Sequence, residues 1–225
     1  MEAFSSADGH KKRLSKAQRQ ELLLQVAAEV FLEKGYEAAS LDDIIRRAGG
    51  SRRNIYTQFG GKEGLFKSLI MQIASQALAP MKEHANEEGN LKAQLSSFAA
   101  GVMSILFSPA ALGLSRIALF DGIRFPEIAE VYYSSGPASA ASSLAGLLEA
   151  ARSRGAIQCP DCSMAANQFI GMLRDNRYLE VLLRLGDAPD DREKETLVKN
   201  AVHIFLEGLK PREDINDSTP KPQVF

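Results

Sequence analysis

The chain is short of the residues that most chemistry needs. It has no tryptophan, two cysteines and three histidines, and it contains no long apolar run. Without a stretch of about 18 apolar residues a membrane-spanning helix is not expected. Residues 1–17 lack the apolar core of a signal peptide, so the cytoplasm is the expected compartment. Cys159 and Cys162 form a single C-x-x-C, and no second cysteine or histidine pair accompanies them to complete a four-ligand zinc site. A redox motif would sit in a thioredoxin-like strand and helix context, which is also missing, so these two read as inert loop thiols. No metal and no cofactor is implied. His10, His84 and His203 are scattered, and no nucleophile, base and orienter recur at a meaningful spacing. An enzyme is therefore not expected.

An excess of charge of either sign is missing as well, with 27 Lys and Arg against 28 Asp and Glu. The net charge is −1 and the pI is near 6.3, which by itself argues against a nucleic-acid binder. The distribution argues otherwise. Residues 1–70 carry 12 Lys and Arg against 9 Asp and Glu, whereas the remainder carries 15 against 19. The positive end is N-terminal, where a nucleic-acid footprint would have to lie.

What is present is helical periodicity. A hydrophobic share of 45% against 24% charged is enough to bury a core, which excludes disorder as the default. Apolar residues recur at three and four throughout, so the expected fold class is all-α. Residues 1–14 are small, polar and basic without periodicity, with His10, Lys11, Lys12 and Arg13 forming a basic arm. Ser15 and Gln18 make a capping box ahead of a helix carrying Leu22, Leu23, Val26, Ala27, Val30 and Phe31, which Gly35 ends.

Residues 40–66, SLDDIIRRAGGSRRNIYTQFGGKEGLF, organise the rest. Ser40 and Asp43 repeat the capping spacing, and Asp42 and Asp43 suit the positive end of a helix carrying Leu41, Ile44, Ile45 and Ala48. Gly49 and Gly50 stop it, and Ser51 can cap the next. That helix shows Arg52, Arg53, Asn54, Thr57 and Gln58 on one side and Ile55 with Phe59 on the other. The exposed side is dense in groups that contact phosphates and base edges, as a helix-turn-helix presents its reading helix.

The order Gly35-Tyr36, Ser40, Ile44, Ala48, Gly49, Ser51, Ile55-Tyr56, Phe59 and Lys62-Glu63-Gly64-Leu65-Phe66 resembles the DNA-binding domain of the TetR family of transcriptional repressors. The resemblance implies a DNA face made by Ser40, Ser51, Arg52, Arg53, Asn54, Tyr56, Thr57, Gln58 and Lys62. Within it, Asn54 suits adenine and Arg52 or Arg53 guanine, whereas Ser40, Ser51, Tyr56 and Lys62 suit phosphate oxygens. Two positions depart from the family pattern: Gly50 stands where an apolar residue usually pins the turn, and Gln58 where a His or Tyr is frequent.

From Lys62 a helix through Leu65, Phe66, Leu69, Ile70 and Ile73 is expected to reach Ala79 and stop at Pro80. A loop over 81–90 precedes apolar helices closed by Pro109 and by Phe120. Further helices are expected from Pro126, over 138–154, over 161–185 and over 192–209, before a polar tail. Through Arg116, Phe125-Pro126-Glu127, Tyr132 or Tyr133, Gly136-Pro137 and Ala165-Ala166 with Phe169, this half resembles the AefR-like class of TetR regulatory domains. The domains expected are a basic arm (1–14), the helix-turn-helix head (15–61), a linker helix with an effector-binding and dimerisation body (62–211), and a tail (212–225).

The resemblance further implies a palindromic DNA operator bound by a homodimer and a small-molecule effector that releases it. Effector-pocket candidates are Phe98, Met103, Phe107, Arg116, Ile117, Phe120, Tyr133, Phe169, Met172 and Leu173, with Asp121 or Arg174 as further polar anchors. Leu179, Leu182, Leu183, Val198, Val202 and Phe205 are the candidates for the dimer seam. The alternatives from other classes are a helical protein-interaction module and an α-helical enzyme without a recognisable catalytic motif.

Overall fold

The computed structural model describes residues 15–83 and 90–209. The expected basic arm and polar tail lie outside the described residues. Eleven α-helices and one 3₁₀ turn make up the regular structure described, and no strand occurs among the described residues. The chain divides into two compact units at Leu69 and Ile70.

In the N-terminal unit, α1 (Lys16–Ala38) opens with the expected reciprocal cap. Gln18 N donates to Ser15 Oγ at 3.2 Å and Ser15 N donates to Gln18 Oε1 at 2.9 Å. Gly35 bends the helix with φ 74°, and the turn after it returns Tyr36 to the core. Three rings close that core: Phe31 stacks on Tyr36 at 5.8 Å, and both meet Phe66 edge-on at 5.6 and 5.7 Å. Such pairs contribute about 0.5–1.5 kcal/mol each beyond burial. Ile44 from α2 (Leu41–Ala48), Ile55 from α3 (Arg52–Phe59) and Leu65 from α4 (Lys62–Glu83) are fully buried.

Helix α4 corrects one expectation, since it runs through Pro80 to Glu83. A proline inside a helix removes one intrahelical donor and crowds the carbonyl four residues before it, which can kink a helix without stopping it.

The C-terminal unit contains α5 (Leu91–Leu106), α6 (Pro109–Phe120), a 3₁₀ turn (Asp121–Ile123), α7 (Pro126–Ser135), α8 (Pro137–Ser153), α9 (Cys162–Leu173), α10 (Asn176–Leu182) and α11 (Asp191–Leu209). Its core is built where α5, α9 and α11 meet. Phe98 and Phe169 lie 6.3 Å apart and Phe169 and Phe205 4.7 Å apart. Helix α8 packs along α9, and Ala141 and Ala151 of the first and Ala165 and Ala166 of the second are buried, small side chains that permit close approach of helices.

The single helix expected over 161–185 is two. Arg174 leaves helical geometry, and Asp175 then accepts hydrogen bonds from Arg177 N at 3.0 Å and Tyr178 N at 3.4 Å to start α10. An acidic cap outcompetes continuation because it satisfies two otherwise orphaned donors. Arg116 ends α10, its Nε and Nη2 donating to the carbonyls of Leu182 at 2.8 Å and Val181 at 2.9 Å.

Candidate nucleic-acid interface and an internal cavity

Ser40 starts α2 by accepting from Asp43 N at 3.1 Å, while its hydroxyl donates to Asp43 Oδ2 at 2.7 Å. Asp43 is buried and also pairs with Lys34 at 2.9 Å and with Arg46. The hydrogen bonds from Lys34 and Ser40 hold its carboxyl down at about 2. Its folded value lies below the ordinary unfolded value of about 3.9. The stability it contributes is therefore complete above that value and is lost as pH falls through it towards 2. Asp43→Asn is expected to destabilise the N-terminal unit at neutral pH and to flatten its acid response between about pH 4 and pH 2. Denaturant melts across that window read both effects, and an unchanged acid profile in the variant would show that Asp43 is not the group responsible.

Between α2 and α3 the chain turns on Gly49 and Gly50, with φ of 75° and 103°. Two consecutive residues in a region closed to most side chains explain why glycine stands at position 50, where the resemblance leads one to expect an apolar side chain. Ser51 then caps α3, accepting from Asn54 N at 3.3 Å. Helix α3 has eight residues and is thus roughly 12 Å long, the width of a major groove.

Two forked ion pairs fix the helices of this head. Arg47 of α2 grips Glu33 of α1 at 2.5 and 2.8 Å. Arg52 of α3 reaches back to Asp42 of α2, with Nε to Oδ1 at 2.8 Å, and this pairing lowers the Asp42 pKa and raises that of Arg52. Both partners of the second pair are more than half exposed, so the bridge orients more than it stabilises. It also divides the work of the two arginines: Arg52 is held against Asp42, and Arg53 is exposed with no ion-pair partner among the described residues.

Ile55 is buried and Phe59 half-buried, so the opposite side of α3 faces out. Arg53, Tyr56, Thr57 and Gln58 are exposed and Asn54 partly so. The Tyr56 ring lies against Gly61, where an added Cβ would stand 3.2 Å from Tyr56 Cε1. Such a face offers a cation, an amide that can pair bidentately with adenine, and hydroxyl groups for phosphate oxygens.

Lys62 has another occupation than the phosphate contact implied for it. Its Nζ donates to the carbonyls of Tyr36 at 2.8 Å, Ala39 at 3.0 Å and Glu37 at 3.3 Å, and it sits 4.3 Å over the Tyr36 ring. A cation there satisfies the carbonyls left over at the end of α1. Its three N–H donors are spent on tying α4 to α1, which makes Lys62 a positioning residue in this structure.

The C-terminal unit holds a cavity of about 80 Å³, several times the roughly 10–15 Å³ that one water requires. Its wall is aliphatic, from Ile70, Ile73, Val102, Leu106, Leu114 and Ile170, with Gly136, Pro137 and Ala140 closing one side. Gly136 permits this closure, because a Cβ there would meet Tyr132 O at 3.0 Å and Ile70 Cγ2 at 3.3 Å. Ser115, Tyr132 and Arg174 supply the polar groups.

None of the ten expected pocket residues lines this cavity. Phe98, Met103, Phe107, Ile117, Phe169 and Leu173 are buried as packing. Arg116 is engaged by the end of α10, and Phe120, Tyr133 and Met172 face outward. Of the additional anchors, Arg174 is at the cavity and Asp121 is not. Large side chains fill space, whereas a cavity persists where Ile, Val, Ala and Gly leave it. The neighbours Tyr132 and Ile170 are the lining residues, one helical position away from Tyr133 and Phe169.

The expected seam residues divide similarly. Leu182, Val198, Val202 and Phe205 are buried within the single chain, whereas Leu179 and Leu183 are about half exposed. Met164, Met172 and Ile204 are also exposed on the last helices, a signal that could have been found in the outward faces of their periodicity. Cys159 and Cys162 are both buried, and burial pushes the Cys162 thiol up to about 12. Among the described residues no helix alone is long and apolar enough to cross a membrane.

Two family models match the chain. Residues 23–69 match bacterial regulatory proteins of the tetR family, and residues 93–208 match the C-terminal domain of AefR-like transcriptional repressors. The HTH-type transcriptional regulator AlkX of Mycobacterium tuberculosis is 27% identical over 117 residues, 52% of this chain and 54% of that protein. The chain thus spans about half the length of that relative. A TetR-family transcriptional regulator from Mesorhizobium loti superposes with a TM-score of 0.73 at 25% identity, over 88% of this chain and 100% of that one. The flavonoid-responsive regulator FrrA does so with 0.68 at 28% identity, over 87% and 99%.

Proposed function

The chain belongs to the TetR family of bacterial transcriptional regulators, and on that premise we propose that it is a cytoplasmic repressor, binding a palindromic operator as a homodimer and released by a small molecule. The observation that carries the reading is the outward face of α3, where Arg53, Asn54, Tyr56, Thr57 and Gln58 stand opposite the buried anchor Ile55. Two copies of this helix would enter major grooves about 34–36 Å apart, or one further turn apart. We assign base reading to Arg53 and Asn54, and phosphate contacts to Ser51 and Tyr56 and, after they exchange Asp43 and Asp42 for DNA, to Ser40 and Arg52. The domain partition proposed is the DNA-reading head over 15–61 and the effector and dimerisation body over 62–211.

For the dimer, the exposed Met164 and Met172 of α9 and Ile204 of α11 give a second copy apolar surface to bury, and Gly171 and Gly208 leave open space beside them. For release, Ile70 and Ile73 of α4 line the cavity. A ligand that displaces them acts on the same helix that begins at Lys62. It lowers DNA affinity only by the margin with which it prefers the DNA-incompetent state.

Selection of bound sequences from random DNA should return an inverted repeat. On that site, Arg53→Ala with Tyr56→Phe is expected to weaken binding by about tenfold to several hundredfold, from one lost base contact and one lost phosphate contact per subunit. Sedimentation should show the same dimer for both proteins. Gel-shift affinity that does not change would mean that another surface reads the DNA.

A further inference from the structure

The polar groups at the cavity are not equivalent. Ser115 Oγ donates to the Ala111 carbonyl at 2.7 Å, which leaves its two lone pairs for the hydroxyls of Tyr132 at 2.7 Å and Tyr178 at 3.3 Å. All three hydroxyl protons are then committed to one another and to backbone. Burial raises the Tyr132 pKa, so its phenol stays protonated and the network keeps this arrangement. Arg174 is different. It leaves α9 at the cavity wall, and its Nε is buried without a hydrogen-bond partner among the described residues. A buried donor on a permanently charged group is costly to leave unmatched, and such groups are nearly always paired. Among the described residues the remaining wall is aliphatic and offers no counter-charge.

We propose that the cavity takes a small amphipathic carboxylic acid, its apolar body in the aliphatic chamber and its carboxylate on Arg174; this rests on the effector-cavity reading above. A guanidinium edge matches a carboxylate in shape and charge. The chamber contributes by apolar burial, and the Ser115, Tyr132 and Tyr178 hydroxyl protons, already committed, offer no donor to a competing neutral acceptor. The Arg174 guanidinium is the group that distinguishes an acid from a neutral molecule of the same shape.

The test is calorimetric titration of the intact protein with hexanoate, octanoate and phenylacetate, each against its uncharged primary amide. The acid is expected to bind at least about tenfold more tightly than its amide, a charge-assisted hydrogen bond's worth. In Arg174→Met, which keeps an apolar stem, that preference should vanish while amide binding persists. Ile170→Phe, which fills the chamber and leaves Arg174 in place, should abolish binding of both. Equal binding of acid and amide to the wild-type protein overturns the carboxylate assignment and leaves the cavity reading standing. No binding of any probe overturns both, and the Arg174 Nε is then satisfied by solvent. If Arg174→Met does not fold, the acid-to-amide ratio of the wild-type protein decides the matter by itself.

Discussion

Gly64→Ala is expected to unfold the N-terminal unit or to lower its stability by more than about 4 kcal/mol. Gly64 lies in the first turn of α4, and an added Cβ would stand 1.4 Å from the Phe59 carbonyl oxygen and 2.6 Å from its carbon. The obstacle is backbone, so no rotamer change relieves it; α4 would have to move off the end of α3. Helix propensity alone predicts the opposite sign, since alanine is favoured over glycine inside a helix by roughly 0.5–1 kcal/mol. Thermal and denaturant melts of the variant separate the two, and a raised midpoint would mean that the α3 to α4 junction relaxes freely. Gly60→Ala is a control of known type. Its φ of 80° is strained for alanine but nothing lies within 4 Å of the added Cβ, so a loss of only about 1–2 kcal/mol is expected.

The second large effect is that of salt on operator affinity. A dimer that makes about 6–10 phosphate contacts releases a counterion for most of them, and its affinity should fall by about 10³ to 10⁵ between 50 and 200 mM salt. The net charge of −1 does not oppose this, because the contacts are local and the basic excess lies in the first 70 residues. Arg52→Ala should reduce the slope of log affinity against log salt by about one per subunit if Arg52 exchanges Asp42 for phosphate. A slope near zero in the wild-type protein would remove the phosphate-contact assignment for α3 altogether.

How legible the molecule was in its sequence differs between its halves. In the head the determining signals are local: Ser15, Ser40 and Ser51 cap, Gly49 and Gly50 turn with positive φ, and Ile44, Ile55 and Phe66 point inward at helical spacing. Each is a contact within four residues or a backbone conformation of one residue, so it can be read without knowing the fold. What the head concealed was long-range. The commitment of Lys62 to three carbonyls 23 to 26 residues away, and of Arg52 to Asp42 ten residues away, depends on how helices cross. In the body, where nearly every helix is apolar on more than one face, periodicity states that a residue is buried but not against what. Val198, Val202 and Phe205 therefore fit a dimer seam and a core equally well until α11 is seen packed on α5 and α9.

By itself, then, the sequence determined the all-α class, the cap-and-glycine grammar of the head and the family to which the chain belongs, because these are carried by short-range stereochemistry and by motif order. Only the tertiary structure decided which arginine of α3 has no ion-pair partner among the described residues, that Lys62 is a brace, and where the cavity lies. A cavity is the space that packing fails to fill, so no single residue announces it; Arg174 acquires its meaning only when it is found at that wall with a buried Nε that has no partner among the described residues.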